Sequence, residues 1–172
     1  MTPELGKGRL FWGTVLTVVA LDVATKMAAV AALVPRQLPH DIVGEAVRLT
    51  LVYNPGAAFG LHVGPASRWV FLALTVGALV ILGRLYHATR PGDVARTLAV
   101  GLVCGGALGN LIDRVRSPMG VVDFIDVGIR DMRWPTFNVA DMAVSTGAVL
   151  LAWVLWGEDR HRDANATPVP EM

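Results

Sequence analysis

The chain has 172 residues, of which 53% are hydrophobic and only 17% charged, and its mean hydropathy is +0.52. A water-soluble domain of this length carries more polar surface, so the composition points to a membrane protein. The formal charge of +1 comes without any Lys/Arg-rich block, which gives no sign of nucleic-acid binding, and the single Cys104 excludes an internal disulfide.

The first apolar run, Leu10 to Val34, carries "AVA" at 29–31, which has the small-x-small look of a signal-peptide cleavage site. The run is longer than an ordinary signal-peptide core and contains Asp22 and Lys26, so it reads as a retained span over about 10–33. Those two residues lie four apart, acid before base, on one face of the helix. In a membrane they would face the bundle interior, either as a self-neutralising structural pair or as a brace for a polar pocket. Next, "EAVRLTLVYNPG" alternates Val47, Leu49, Leu51 and Tyr53 against Arg48, Thr50, Val52 and Asn54. That period of two predicts a strand ended by an Asn-Pro-Gly turn.

A second span over 68–86 is bracketed by Arg68 and Arg84, with Trp69 and Tyr86 as interfacial anchors. The third, over 95–113, holds Gly101, Gly105 and Gly109, two overlapping GxxxG spacings that suit close helix packing. It ends in "GGALGNLIDRV", where Asn110, Asp113 and Arg114 arrive together and Asn110 shares a face with Arg114. "GVVDFIDVG" is a second strand-like run, containing Asp123 and Asp126. "FNVADMAVSTGAVLLAWVLW" supplies the fourth span, 138–156, with Asn138 as N-cap and Asp141 at the capping-box position three residues on. The polar tail 157–172, with two prolines, is expected to be disordered, leaving a single domain over 1–156. Counting Lys and Arg in and beside the loops, the two sides carry seven each. The crowding of Arg84, Arg90 and Arg96 in one short loop favours termini in the cytoplasm.

For chemistry, there is no HExxH, Gly-x-Ser-x-Gly or P-loop, and His40, His62, His87 and His161 form no metal-ligand spacing. What remains is a set of carboxylates at one membrane edge. Two of them brought together would share a proton, so that one activates water while the other protonates. Residue types alone leave Asp123, Asp126 and Asp131 open as partners of Asp141. They also leave open a small proton-coupled transporter with a relay of Asp22, Lys26, Asp113, Asp123 and Asp141. Against that reading, the acids gather at one face instead of tracing a path across.

Five blocks in order, "DVATK" (22–26), "NPGAAFG" (54–60), "GGALGNLIDR" (105–114), "VVDF" (121–124) and "FNVAD" (137–141), resemble the bacterial lipoprotein signal peptidases, signal peptidase II. The resemblance covers roughly 10–156. It implies an all-α membrane protein of four transmembrane helices with a small extracytoplasmic β-cradle, in the bacterial inner membrane, both termini cytoplasmic and the active site near the outer face. The implied activity is an aspartic endopeptidase that cuts diacylglyceryl-modified prolipoproteins just before the lipidated cysteine. It would act as a monomer among membrane lipid, with no metal or other cofactor and no nucleic-acid partner. Carried over by motif, Asp123 and Asp141 would be the catalytic pair. Asn54, Gly56, Gly106, Asn110, Arg114, Asn138 and Ala140 match positions linked to substrate binding or site support, and Asp22 and Lys26 match the first-helix pair.

Overall fold

The protein, seen in a computed structural model, is described over residues 3–56 and 64–164. Four helices are long and apolar enough to cross a membrane. They are α1 (Pro3–Ala32), α2 (Ser67–Ala88), α3 (Val94–Arg116) and α4 (Val139–Ala164). The connection from α1 to α2 carries β1 (His40–Val43) and β2 (Val47–Asn54), and that from α3 to α4 carries β3 (Val121–Ile129) and β4 (Met132–Arg133). Because the helices alternate in direction, both connections leave the same end of the bundle. There the strands join in one antiparallel sheet of order β1-β2-β3-β4. The architecture is the expected helical bundle with a small sheet at one end.

Helix α3 is the centre of the bundle, and its glycines are the reason. A side chain at Gly101 would meet Thr14, one at Gly105 would meet Val18, and one at Gly109 would meet Asp22. The contact advances by four residues on both helices at each step, so α1 and α3 run in the same direction, ridge against groove. On another face of α3, Gly106 lies against the Ala140 carbonyl of α4. Lower down, Gly147 of α4 lies against the Ala99 carbonyl and Val103. Away from the sheet the interior is filled by Phe11, Val15, Leu82, Val100 and Cys104, with Phe11 stacked on Tyr86 at 4.1 Å. At the other end Ala29 and Leu33 of α1 pack on Leu51, Val122 and Phe124, which seats the sheet on the bundle. Leu16, Leu74, Ile81, Val149 and Trp153 point outward, as lipid-facing side chains would.

Helix α2 is peripheral, with only Ser67 and Leu82 buried. Arg68 fastens its first turn: Nε donates to the Arg114 carbonyl at 2.6 Å and Nη2 to that of Val115 at 3.0 Å. Those are carbonyls in the last turn of α3, which lack helical partners.

Two expected boundaries move. Helix α1 begins at Pro3, ahead of the apolar run, and α4 does not stop at 156 but continues to Ala164. Arg96 Nη2 of α3 pairs with Glu158 Oε2 at 2.5 Å, and Arg160 lies over the Trp156 ring one turn earlier, so Glu158 and Arg160 are held on the helix. The rest of the expected disordered tail, 165–172, lies outside the described residues.

The glycine ridge gives a packing test. In Gly105→Ala the new methyl would stand 2.8 Å from Val18 Cβ and 3.2 Å from the Val15 carbonyl, so α1 must shift. Overpacking of this kind costs about 1–3 kcal/mol. Thermal unfolding in detergent should show a lowered midpoint for Gly105→Ala. Gly77→Ala, with nothing within 4 Å of the new atom, should unfold like the parent.

Candidate active site

The first turn of α4 exposes backbone N–H groups that need acceptors. Asn138 Oδ1 accepts from the Asp141 N–H at 2.9 Å, and Asp141 Oδ2 accepts from the Asn138 N–H at 3.2 Å. This is the reciprocal capping box expected from the sequence. A third donor, the Ala140 N–H, goes to Asp22 Oδ1 of α1 at 2.9 Å.

The cap leaves the Asn138 amide nitrogen free to reach elsewhere, and it donates to Asp123 Oδ1 at 2.7 Å, as well as to the Val122 carbonyl and Asn110 Oδ1. The other Asp123 oxygen accepts from Asn54 Nδ2 at 3.1 Å. The remaining Asp141 oxygen accepts from Asn110 Nδ2 at 2.7 Å. Asn138 thus bridges the two carboxylates, and all four of their oxygens meet N–H donors. Both line a single cavity of about 480 Å³, together with Asn54, Asn110, Arg114 and the Trp134–Phe137 segment. Asp123 is 2% exposed. Burial, with the neighbouring Asp141 charge behind it, pushes the Asp123 carboxyl up to about 7, against the pull of its two amide donors.

Behind the pair sits Lys26, itself buried. Its ammonium meets Asp22 Oδ2 at 2.7 Å, Asp113 Oδ2 at 2.9 Å and Asn110 Oδ1 at 2.9 Å. Asp113 also accepts the Val122 N–H of β3 at 3.1 Å, which ties the strand to the end of α3. Arg114 donates to its own helix at the Asn110 carbonyl and, at 3.1 Å, to the Gly56 carbonyl, while the Gly56 N–H donates to Asn54 Oδ1. The missing side chain at Gly106 lets the Ala140 backbone close on α3, and that at Gly109 makes room for Asp22.

Every residue carried over by motif therefore falls in one neighbourhood. Asn54, Asn110, Arg114, Asp123 and Asp141 border the cavity, Asn138 bridges, Gly56, Gly106 and Ala140 set the backbone, and Asp22 and Lys26 stand behind. Asp126 and Asp131 stay out of the cavity lining. The Asp126 carboxylate accepts from Thr50 at 3.1 Å and from Arg133 at 2.6 Å, and Arg133 also holds the Glu45 carbonyl. Sequence reasoning missed that pair. It also missed Asp113 as a partner of Lys26, although the fourfold spacing that aligns 14, 18 and 22 with 101, 105 and 109 continues to 26 and 113. The Trp134–Phe137 wall had no motif to announce it.

The family model for "Signal peptidase (SPase) II" matches residues 14–157, a stretch that contains every residue of this neighbourhood. The chain belongs to the signal peptidase II family. It is 46% identical over 143 residues to the lipoprotein signal peptidase of Pelotomaculum thermopropionicum, spanning 82% of this chain and 88% of the relative. It is 39% identical over 159 residues to that of Syntrophomonas wolfei, spanning 91% and 99%. A solved bacterial membrane enzyme, determined by the in meso method, superposes with a TM-score of 0.78 at 27% identity, covering 94% of each chain. Another superposes with a TM-score of 0.73 at 30% identity, covering 84% of this chain and 91% of the other. As a family member the protein is a multi-pass bacterial membrane peptidase that processes the signal peptides of lipoproteins.

The separation of the two strand acids gives a prediction. Asp126→Asn breaks a charged hydrogen bond that holds β4 to β3, a change worth about 1.5–3 kcal/mol. It should lower the thermal midpoint of the purified enzyme while leaving cleavage of a lipoprotein precursor far less affected than Asp123→Asn does.

Proposed function

We propose that the enzyme is an aspartic endopeptidase whose catalytic pair is Asp123 and Asp141. One observation carries this reading: two carboxylates from different elements border one cavity, joined through Asn138, with the more buried of them pushed up to about 7. Near neutrality such a pair holds one proton. Asp123 starts as the acid and Asp141 as the base.

In the first step Asp141 takes a proton from water while the water oxygen bonds to the scissile carbonyl carbon. Asp123 gives its proton to the carbonyl oxygen, leaving a gem-diol. In the second, Asp141 passes its proton to the amide nitrogen as the carbon–nitrogen bond breaks, and one diol hydroxyl returns a proton to Asp123. The products are a carboxylic acid and an amine, and the pair is back in its starting state. Asn54, Asn110 and Arg114, on the cavity border, are placed to hold the peptide backbone.

The substrate we assign is a prolipoprotein bearing diacylglycerol on the cysteine that follows the scissile bond. Asp141 heads a membrane-length helix at the sheet end, and Arg84, Arg90 and Arg96, gathered around the α2–α3 connection at the opposite end, support a reading in which the sheet end faces away from the cytoplasm. Each buried lipid methylene contributes about 0.8 kcal/mol to membrane binding. Two acyl chains therefore hold the peptide bond near the interface, at the depth of the pair, an orientation effect that needs no further contact.

Asp123→Asn and Asp141→Asn should each lose a factor on the order of 10² to 10⁴ in turnover, since Asn keeps the shape without a transferable proton. For the parent enzyme, cleavage should decline as pH rises through about 7, because the acid form of Asp123 predominates only below that value. Near-normal turnover by either variant removes that residue from the pair.

A second assay addresses the substrate. One prolipoprotein, with and without its diacylglyceryl group, is offered to purified enzyme in the same detergent. The lipidated form should be cut much faster; equal rates would make this a general membrane peptidase.

A further inference from the structure

The two carboxylates are held largely by asparagine amides, and an amide can turn over, exchanging its oxygen for its nitrogen. Its orientation is fixed only where a neighbour has a single possible sense. Three such neighbours occur here, the first being the Gly56 N–H, which can only donate and fixes Asn54 with Oδ1 toward Gly56 and Nδ2 toward Asp123. The Asp141 backbone N–H can only donate, so it fixes Asn138 with Oδ1 toward α4 and Nδ2 toward Asp123. The Lys26 ammonium can only donate, so it fixes Asn110 with Oδ1 toward Lys26 and Nδ2 toward Asp141, and the Asn138 Nδ2 so oriented donates to the same Asn110 oxygen at 3.1 Å. Lys26 has three N–H groups, and its three acceptors are Asp22, Asp113 and Asn110.

We infer that Lys26 is a positioning residue that, together with Asn138, holds the Asn110 amide oxygen and so keeps Asp141 the acceptor of the pair and the shared proton on Asp123. With the Asn110 amide held as it is, Asp141 Oδ1 faces an N–H and acts as the acceptor, and the proton stays on Asp123. Were the amide to turn over, its oxygen would face Asp141 Oδ1, and only a protonated Asp141 could meet it. The Asn138 amide opposes that turn as well, so loss of Lys26 loosens Asn110, and with it Asp141, without moving the proton off Asp123. The inference rests on the catalytic pair proposed above.

The charged groups around Lys26 come from every packed element. Asp22 lies on α1, Asp113 and Arg114 on α3, Asp123 on β3 and Asp141 on α4, while Arg68 of α2 holds the Arg114 carbonyl. Lys26 itself is no part of the cavity lining, so its removal takes no contact from the substrate. Its positive charge acts on Asp123 in the direction that loosens the proton. Without that charge Asp123 keeps its proton to higher pH.

The test uses the full-length purified enzyme and one lipidated prolipoprotein, with rates taken across a pH series. Lys26→Met should lower kcat on the order of 10²-fold, the scale of a misplaced reacting group, with KM little changed. The high-pH limb of the profile should move to higher pH. Where loss of the cation alone prevents folding, the double variant Asp22→Asn/Lys26→Met leaves α1 with no unpaired charge, and it should show the same shift. A variant that loses activity with its high-pH limb unmoved, or one that keeps full turnover, overturns the inference. Failure of the pair itself would look different: Asp123→Asn would then stay active, whatever Lys26 does.

Discussion

The close approach of α1 to α3 is the constraint on which the outer end of the molecule depends. Glycines at 101, 105 and 109 let the α1 ridge of Thr14, Val18 and Asp22 sink into α3. One step further along the same ridge, Lys26 meets Asp113 at 2.9 Å. A lysine buried in hydrocarbon is costly unless its charge is paired and its donors are met. Here the glycine groove brings two carboxylates and an amide oxygen within reach of one ammonium. One of those carboxylates, Asp22, turns its second oxygen to the Ala140 N–H of α4. One ammonium and its two carboxylates therefore join three helices, and they can do so only because two of the α3 positions facing them, Gly106 and Gly109, have no side chain.

From that anchor the order spreads outward through shared acceptors. Asp113 holds the start of β3 by the Val122 N–H, which sets the next residue, Asp123, over the first turn of α4. Three positions later the same strand uses Asp126 for another purpose, to gather Thr50 and Arg133 and so keep β4 in the sheet. The segment that follows β4 runs past the cavity as its wall before the chain turns into α4. Two acids of one strand thus divide the work by their spacing. One belongs to the sheet and the other to the cavity.

How much of this was legible in the sequence differs from element to element. The four spans were legible because hydrophobic runs of membrane length have few alternatives. Strands β2 and β3 were legible from alternation and turn residues, and the α4 cap from Asn138 and Asp141 alone. Strands β1 and β4 were not, because four and two residues are too few to show a period. The extension of α4 to Ala164 was hidden because its last turns are polar and draw support from Arg96, a partner distant in sequence. The location of each site residue followed from the motif blocks. Their connections did not, since an asparagine reveals neither which way its amide faces nor which neighbour decides it.

The helix cap and the carboxylate pair are one piece of construction. A carboxylate in a first helical turn is favoured by the macrodipole and immobilised by the capping box, both of which add stability. Immobility is also what a reacting group needs, because a donor or acceptor already in place has no reorganisation left to do when charge moves. The bonds that stabilise the start of α4 are therefore the same bonds that aim Asp141 into the cavity. Asn138 extends the economy: one amide closes the cap with its oxygen and holds Asp123 with its nitrogen. For the proposed catalytic pair, then, stability and function do not trade against each other at the cap. The conflict falls instead on Asp123, which is buried beside a second carboxylate with only amides for company. That burial is the source of its raised proton affinity, and the cation that moderates it, Lys26, is linked to it through Asn138 and Asn110.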